Sequence, residues 1–166
     1  MSNCLLGDIT FLKVYLNGII RDDQGRKFSK SLDNGIDPLD MIAKYGADAT
    51  RMSLIIGAAP GNDMKLSEDK IRGYRNFANK LWNMARFIIL HDEPRMSAVK
   101  PRYTKKDRGR LQEIKTLTRE TTARLEMFQL HRAAEKLYHY AWHTFADTII
   151  EDAKPRLASN DPRERA

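Results

Sequence analysis

From Ser67 onward, apolar residues return at helical spacing over three long stretches. The first is expected to run from Ser67, an N-cap followed by Glu68 and Asp69 at the positive end of the helix dipole, to about Leu90. Ile71, Tyr74, Ala78, Leu81, Trp82, Ala85 and Ile88 fall on one side of it and predict its core face, which places Trp82 in the core. A second helix over Lys105–Glu126 carries Leu111, Ile114, Leu117, Thr121 and Leu125. A third, from Leu130 to about Lys154, carries Ala134, Leu137, Tyr138, Ala141, Trp142, Phe145 and Ile149 on one face and should stop at Pro155. Three such helices predict an antiparallel, up-and-down bundle.

The first part of the chain has shorter periods. FLKVYLNGII is rich in β-branched and aromatic residues and leads into the Asp22-Asp23-Gln24-Gly25 turn and the RKFS run, a pattern that predicts a hairpin. Asp37, Pro38 and Gly46 read as N-cap, first helical position and stop of a short helix, and Asp48 as the cap of another, ending near Ile56. GAAPGND then reads as a loop. The expected fold is mainly α: a small α+β segment over residues 1–66, followed by a helical bundle over residues 67–166.

Composition narrows the class. With 42% apolar and 31% charged residues, the 166-residue chain reads as globular. It has neither a bilayer-length apolar run nor a basic-then-apolar leader, so the expectation is a cytoplasmic protein with no membrane partner. The lone Cys4 offers neither a disulfide framework nor a cysteine-rich metal site. The net charge of +7 is unevenly distributed: residues 1–66 hold eight Lys/Arg and eight Asp/Glu, residues 67–166 hold 21 and 14. Such a basic half suits either a polyanionic partner or a merely soluble surface.

Two features carry candidate chemistry. Lys27-Phe28-Ser29-Lys30-Ser31 sits in the Gly- and Asp-rich stretch RDDQGRKFSKSLDNGIDPLDMI, where mobile ammoniums could meet phosphate charge. On the first long helix, Arg72, Arg75, Asn76, Asn79, Asn83 and Arg86 lie opposite the apolar side. Asparagine costs roughly 0.5–0.7 kcal/mol against alanine inside a helix, so three on one face call for a reason beyond solubility. Carboxamides match base edges and guanidiniums hold phosphates or stack on bases; the alternative is that the asparagines bond neighbouring helices. The run Arg95, Lys100, Arg102, Lys105, Lys106, Arg108 and Arg110 is either a further RNA contact or a solvated connector.

The pentapeptide resembles the K-M-S-K-S signature of class I aminoacyl-tRNA synthetases, with Phe28 in the methionine position as an apolar anchor. NGIIRDDQGRKFSKSLDNGIDPLDMIAKYGADATR, KLSEDKIRGYRNFANKLWNMARFI and HRAAEKLYHYAWHTFADTIIEDAKPRL extend the likeness, which is strongest to the family's valine members. The resemblance implies ATP, with Mg2+ carried by the nucleotide, bound by Lys27, Ser29, Lys30 and Ser31, with Lys30 the principal phosphate ligand and Lys27 its partner. It implies tRNA, valine-accepting, as the macromolecular partner, and places Arg51 near the inside corner of tRNA, where a phosphate contact and an ion pair with Asp48 are both open.

The family's H-I-G-H-type element has no match among LHDE, LHRA, YHYA and WHTF. The expectation is an internal piece of a larger ligase, inactive alone, with the rest of the synthetase as partner and an open bundle face available for self-association. A stand-alone tRNA-binding module, a helical interaction domain whose basic surface has no nucleic-acid role, and an isoleucine-specific relative are the competing readings.

Overall fold

The computed structural model describes residues 4–5, 7–9, 11–91 and 103–159. The elements are β1 (Ile20–Arg21), a 3-10 turn (Lys30–Leu32), α1 (Pro38–Tyr45), α2 (Ala47–Ile55), β2 (Met64–Lys65), α3 (Glu68–His91), α4 (Lys105–Glu126), α5 (Leu130–His139), a π-helical stretch (Tyr140–Ile150) and α6 (Glu151–Leu157). Among the described residues no helix is long and apolar enough to cross a membrane.

Several ends follow from local chemistry. The Asp37 side chain accepts from Leu39 N–H at 2.7 Å, Pro38 opens α1, and Gly46 closes it at φ 92°. Ser67 Oγ accepts from Lys70 N–H at 3.2 Å at the start of α3. Thr104 and Asp107 form a reciprocal capping box at the start of α4.

Other expectations are corrected. Gly46, not Asp48, precedes α2: a single residue both ends α1 and starts α2, which puts Asp48 inside the first turn with no cap to make. The predicted hairpin shrinks to one antiparallel bridge, Arg21 to Lys27, across the Asp22–Gly25 turn. The ladder partner of β1 is instead β2, parallel, with Ile20 beside Met64 and Arg21 beside Lys65. Distant groups fix that pairing: Asp63 accepts from Ile19 N–H at 2.8 Å and from Arg21 Nε at 2.7 Å. A Cβ on Gly18 would collide with the Asn62 carbonyl, so a glycine lets the two segments meet.

The third helix does not end before Pro155, which lies inside α6. Only Arg156 and Leu157 follow it there, so the proline forgoes a single last-turn bond. Upstream, the π-helical winding turns the apolar stripe relative to a straight helix. Ala133, Ala146 and Ile150 are buried while Leu137 is exposed.

Two cores result. Tyr45, Ala49, Leu66 and Ile71 form one, with Ile20, Phe28, Ile36, Met41, Leu54 and Tyr74 against it. Met84, Ala146 and Ile150 form the other, with Phe87 and Phe145. α3 joins them through rings: Tyr74 and Phe77 meet Tyr138 at 6.0 and 4.6 Å, and Phe77 stacks on Trp142 at 5.8 Å. These partners advance together along both helices, so α3 and α5 run parallel.

α4 runs antiparallel to α5, with ion pairs along the seam. Asp152 takes Lys106 and Arg110, Asp107 takes Arg156, and Glu120 takes Lys136. Thr121 is buried there, but Leu111, Ile114 and Leu125, expected in the core, are exposed. On α3, Ile71 is buried as expected, but the buried side then turns to Phe77 and Met84. Leu81 and Ile88 are exposed and Trp82 is 71% exposed, because α5 packs on the Phe77 side and no described element covers the other.

Candidate nucleotide loop and nucleic-acid face

The Lys27–Ser31 loop is fixed from inside and open outside. The Phe28 ring packs against the first core, as an apolar anchor should. Lys27 and Lys30 are exposed on either side of it, with no ion pair or hydrogen bond from either ammonium among the described residues. Ser29 is extended, at φ −146° and ψ 140°, and its hydroxyl accepts from Ser31 N–H at 3.3 Å. The two serine hydroxyls lie 2.7 Å apart. The 3-10 turn beginning at Lys30 ends at Asp33, a left-handed residue at φ 46°.

Two residues to which the sequence reading gave no part in the site, Asn34 and Asp22, hold this geometry. Asn34 Oδ1 accepts from Ser29 N–H at 2.9 Å, and its Nδ2 donates to Asp22 Oδ2 at 2.9 Å and to the Lys27 carbonyl at 3.3 Å. Asp22 also accepts from Arg26 N–H and Arg26 Nε, each at 2.8 Å. The Asn34 hydrogen bond, then those from Arg26, hold the Asp22 carboxyl at about 2, so it stays charged at any ordinary pH. The available signal was an Asn-Gly pair within reach of an Asp-Asp turn, which predicts turns but not that their side chains meet.

The predicted nucleic-acid residues on α3 stand in one exposed face: Arg72, Arg75, Asn76, Asn79, Asn83 and Arg86. Arg72 is paired with Asp69 at 2.7 Å. Asn76, Asn79 and Asn83 have no hydrogen-bond partner among the described residues. Arg51 is exposed on α2 and forms no ion pair with Asp48. Of the basic run, Lys106 and Arg110 are spent on Asp152, Lys105 and Arg108 are exposed, and Arg95, Lys100 and Arg102 lie outside the described residues.

Beside that face runs an apolar groove of about 830 Å3, between α2, α3 and α5. Met52, Phe77, Leu81, Trp82, Leu137 and Tyr138 line it, with Arg51 at its rim.

Two family models match parts of the chain. Residues 1–67 match the family model for tRNA synthetases class I (I, L, M and V), and residues 107–166 match the anticodon-binding domain of tRNA ligase. The chain belongs to the class I tRNA synthetases. Valine–tRNA ligases are among its relatives: that of Clostridium acetobutylicum is 43% identical over 96% of this chain, and that of Aquifex aeolicus 37% over 99%. The Mycobacterium tuberculosis valine–tRNA ligase is 43% identical over 90% of the chain. The chain spans 18%, 14% and 17% of those three proteins. In fold it is similar to the LeuRS of Agrobacterium radiobacter K84, solved as a ternary complex with tRNA and LeuAMS. The TM-score is 0.62 at 20% identity, over 99% of this chain and 25% of that one.

Proposed function

We propose that this chain serves as part of a valine–tRNA ligase, joining valine to its tRNA through an ATP-derived aminoacyl-adenylate. In this reading residues 1–66 are the nucleotide-loop and stem-contact unit and residues 67–166 the anticodon-binding bundle. Its setting is the cytoplasm, and its partners are ATP, valine-accepting tRNA and the remainder of the synthetase. The α2–α3–α5 groove is covered by that remainder in the whole enzyme and is a surface for self-association in the isolated chain.

The observation that carries the reading is the pair of unpaired, exposed ammoniums, Lys27 and Lys30, set about the anchored Phe28. In adenylate formation a carboxylate oxygen of valine bonds to the α-phosphorus, the bond from that phosphorus to the bridging oxygen breaks, and pyrophosphate leaves. Negative charge gathers on the β and γ oxygens as it goes. Lys30, with Lys27 beside it, meets that charge more strongly in the transition state than in the ground state. Ser29 and Ser31 add hydroxyls to the same rim. The outward donor set is ammonium and hydroxyl, which fits phosphate oxygens rather than a bare cation, so Mg2+ enters with the nucleotide. For tRNA, the supporting feature is the row of exposed, unpartnered asparagines with Arg75 and Arg86 among them.

By itself the chain should make no valyl-adenylate, because the H-I-G-H-type histidines have no counterpart in it. In a ligase carrying this chain, Lys30→Ala should lower kcat for valine-dependent pyrophosphate exchange at least about 100-fold. Unchanged exchange would remove the lysine from the mechanism.

A further inference from the structure

Within the loop, one carboxamide is fully used. Both donors and the acceptor of Asn34 are committed, to Asp22, to the Lys27 carbonyl and to the Ser29 N–H. The last two lie on either side of Phe28, whose ring is held in the first core. The backbone of residues 27–29 is therefore gripped at both ends by a side chain and in the middle by an apolar contact. Lys30 is the next residue and begins the 3-10 turn that brings the chain round to Asn34. That return places Asp33 in the left-handed region, at φ 46°. A left-handed aspartate persists where surrounding bonds over-determine it. Asp22 anchors the far end, oriented by Arg26, and Arg26 N–H and carbonyl close the turn on Asp22 from both sides.

We propose that Asn34 and Asp22 form a clasp that positions Lys30, so that the lysine meets phosphate from a loop already folded to receive it. Asn34 is a positioning residue, touching no substrate and acting through the backbone of residues 27–29. The inference rests on the phosphate role given to Lys30 above. Without the clasp, residues 27–29 keep the Phe28 contact and the Arg21–Lys27 bridge but lose the grip on the Ser29 side, and the ammonium samples a wider volume. Part of the phosphate interaction is then spent on ordering the loop at the moment of binding.

The test uses the 166-residue chain, with nitrogen-15 amide spectra, hydrogen exchange at Ser29 N–H, and titration with inorganic tripolyphosphate. In the wild type Ser29 N–H should be protected and the Lys27–Ser31 signals should shift on titration. Asn34→Ala should raise Ser29 exchange about tenfold and weaken tripolyphosphate binding about fivefold or more, with the melting temperature of the helical part unchanged. Asn34→Asp sets two carboxylates against each other and should do the same. Combining it with Asp22→Asn restores the amide–carboxylate pair beside the Ser29 acceptor, without the donor to the Lys27 carbonyl, and should recover part of both effects, which simple damage to the loop would not. Lys30→Ala should abolish binding while Ser29 stays protected.

Either of two results overturns the clasp: a Ser29 amide still protected in Asn34→Ala, or a freed amide with unchanged tripolyphosphate affinity. A wild-type chain that takes no tripolyphosphate overturns the phosphate role of Lys30, and the positioning role with it. It is told apart from the other failures because it appears before any substitution is made.

Discussion

The Phe77 ring lies 4.6 Å from that of Tyr138 and stacks on Trp142 at 5.8 Å, and Lys80, one turn on, holds its ammonium 4.3 Å above the same indole. Lys80 also pairs with Asp147 at 2.8 Å. This joint ties α3 to the third helical rod and decides which side of α3 is core.

Phe77 and Trp82 should therefore behave oppositely. Phe77→Ala removes a buried ring at the joint and should cost about 3–5 kcal/mol in chemical denaturation. Trp82→Ala removes a ring that is 71% exposed and should change stability by less than about 1 kcal/mol. If the groove mediates self-association, Trp82→Ala should also weaken the concentration dependence of sedimentation, and a wild-type chain that stays monomeric at high concentration would exclude that role.

On the asparagine face of α3, exposure separates binding from folding. Asn79→Ala and Asn83→Ala should cost about 1–3 kcal/mol on tRNA with the cognate anticodon and little on a mismatched one. Arg75→Ala and Arg86→Ala should weaken both alike and flatten the salt dependence. Arg72→Ala should do less, since Asp69 already engages that guanidinium. All five should melt as the wild type does. Early melting with equal binding to both tRNAs would make these residues structural.

The α4 seam should be sensitive to acid and salt. Hydrogen bonding from Lys106 holds the Asp152 carboxyl below its ordinary range, with Arg110 adding to the effect, and Lys136 does the same for Glu120. For Asp107, the bonds from Thr104 come first and Arg156 adds to them. A carboxyl whose pKa is lowered in the folded state stabilises above its unfolded value. That contribution is lost as pH falls through the lowered one. Amide exchange in α4 should accordingly rise below about pH 4, earlier than in α3 at Phe77, and molar salt should produce part of the same loosening at pH 7. Asp152→Asn should loosen α4 at neutral pH. Exchange in α4 that is indifferent to salt, acid and this substitution would show that the seam is not held by charge.

Much of the chain was legible before folding was considered, because the deciding interactions are local. The start of Lys105–Glu126, in its Thr104–Asp107 box, the Asp37-Pro38 start and the Gly46 stop are written in caps and in single-residue backbone preferences that act within one turn. The Lys27–Ser31 pentapeptide was likewise visible as a motif, together with the expectation that residue 28 would be an anchor. Tertiary structure decided what periodicity cannot encode, namely which apolar side finds a partner. Ala78, Leu81, Trp82 and Ala85 satisfy a helical stripe as well as Ile71, Phe77 and Met84 do, and only the course of α5 distinguishes them. β1 took β2 over a hairpin neighbour because Asp63, far along the chain, reaches Ile19 and Arg21. Asn34 closes on Asp22 across twelve residues. In each case the free energy lies in a contact between distant segments, which neither propensity nor spacing contains.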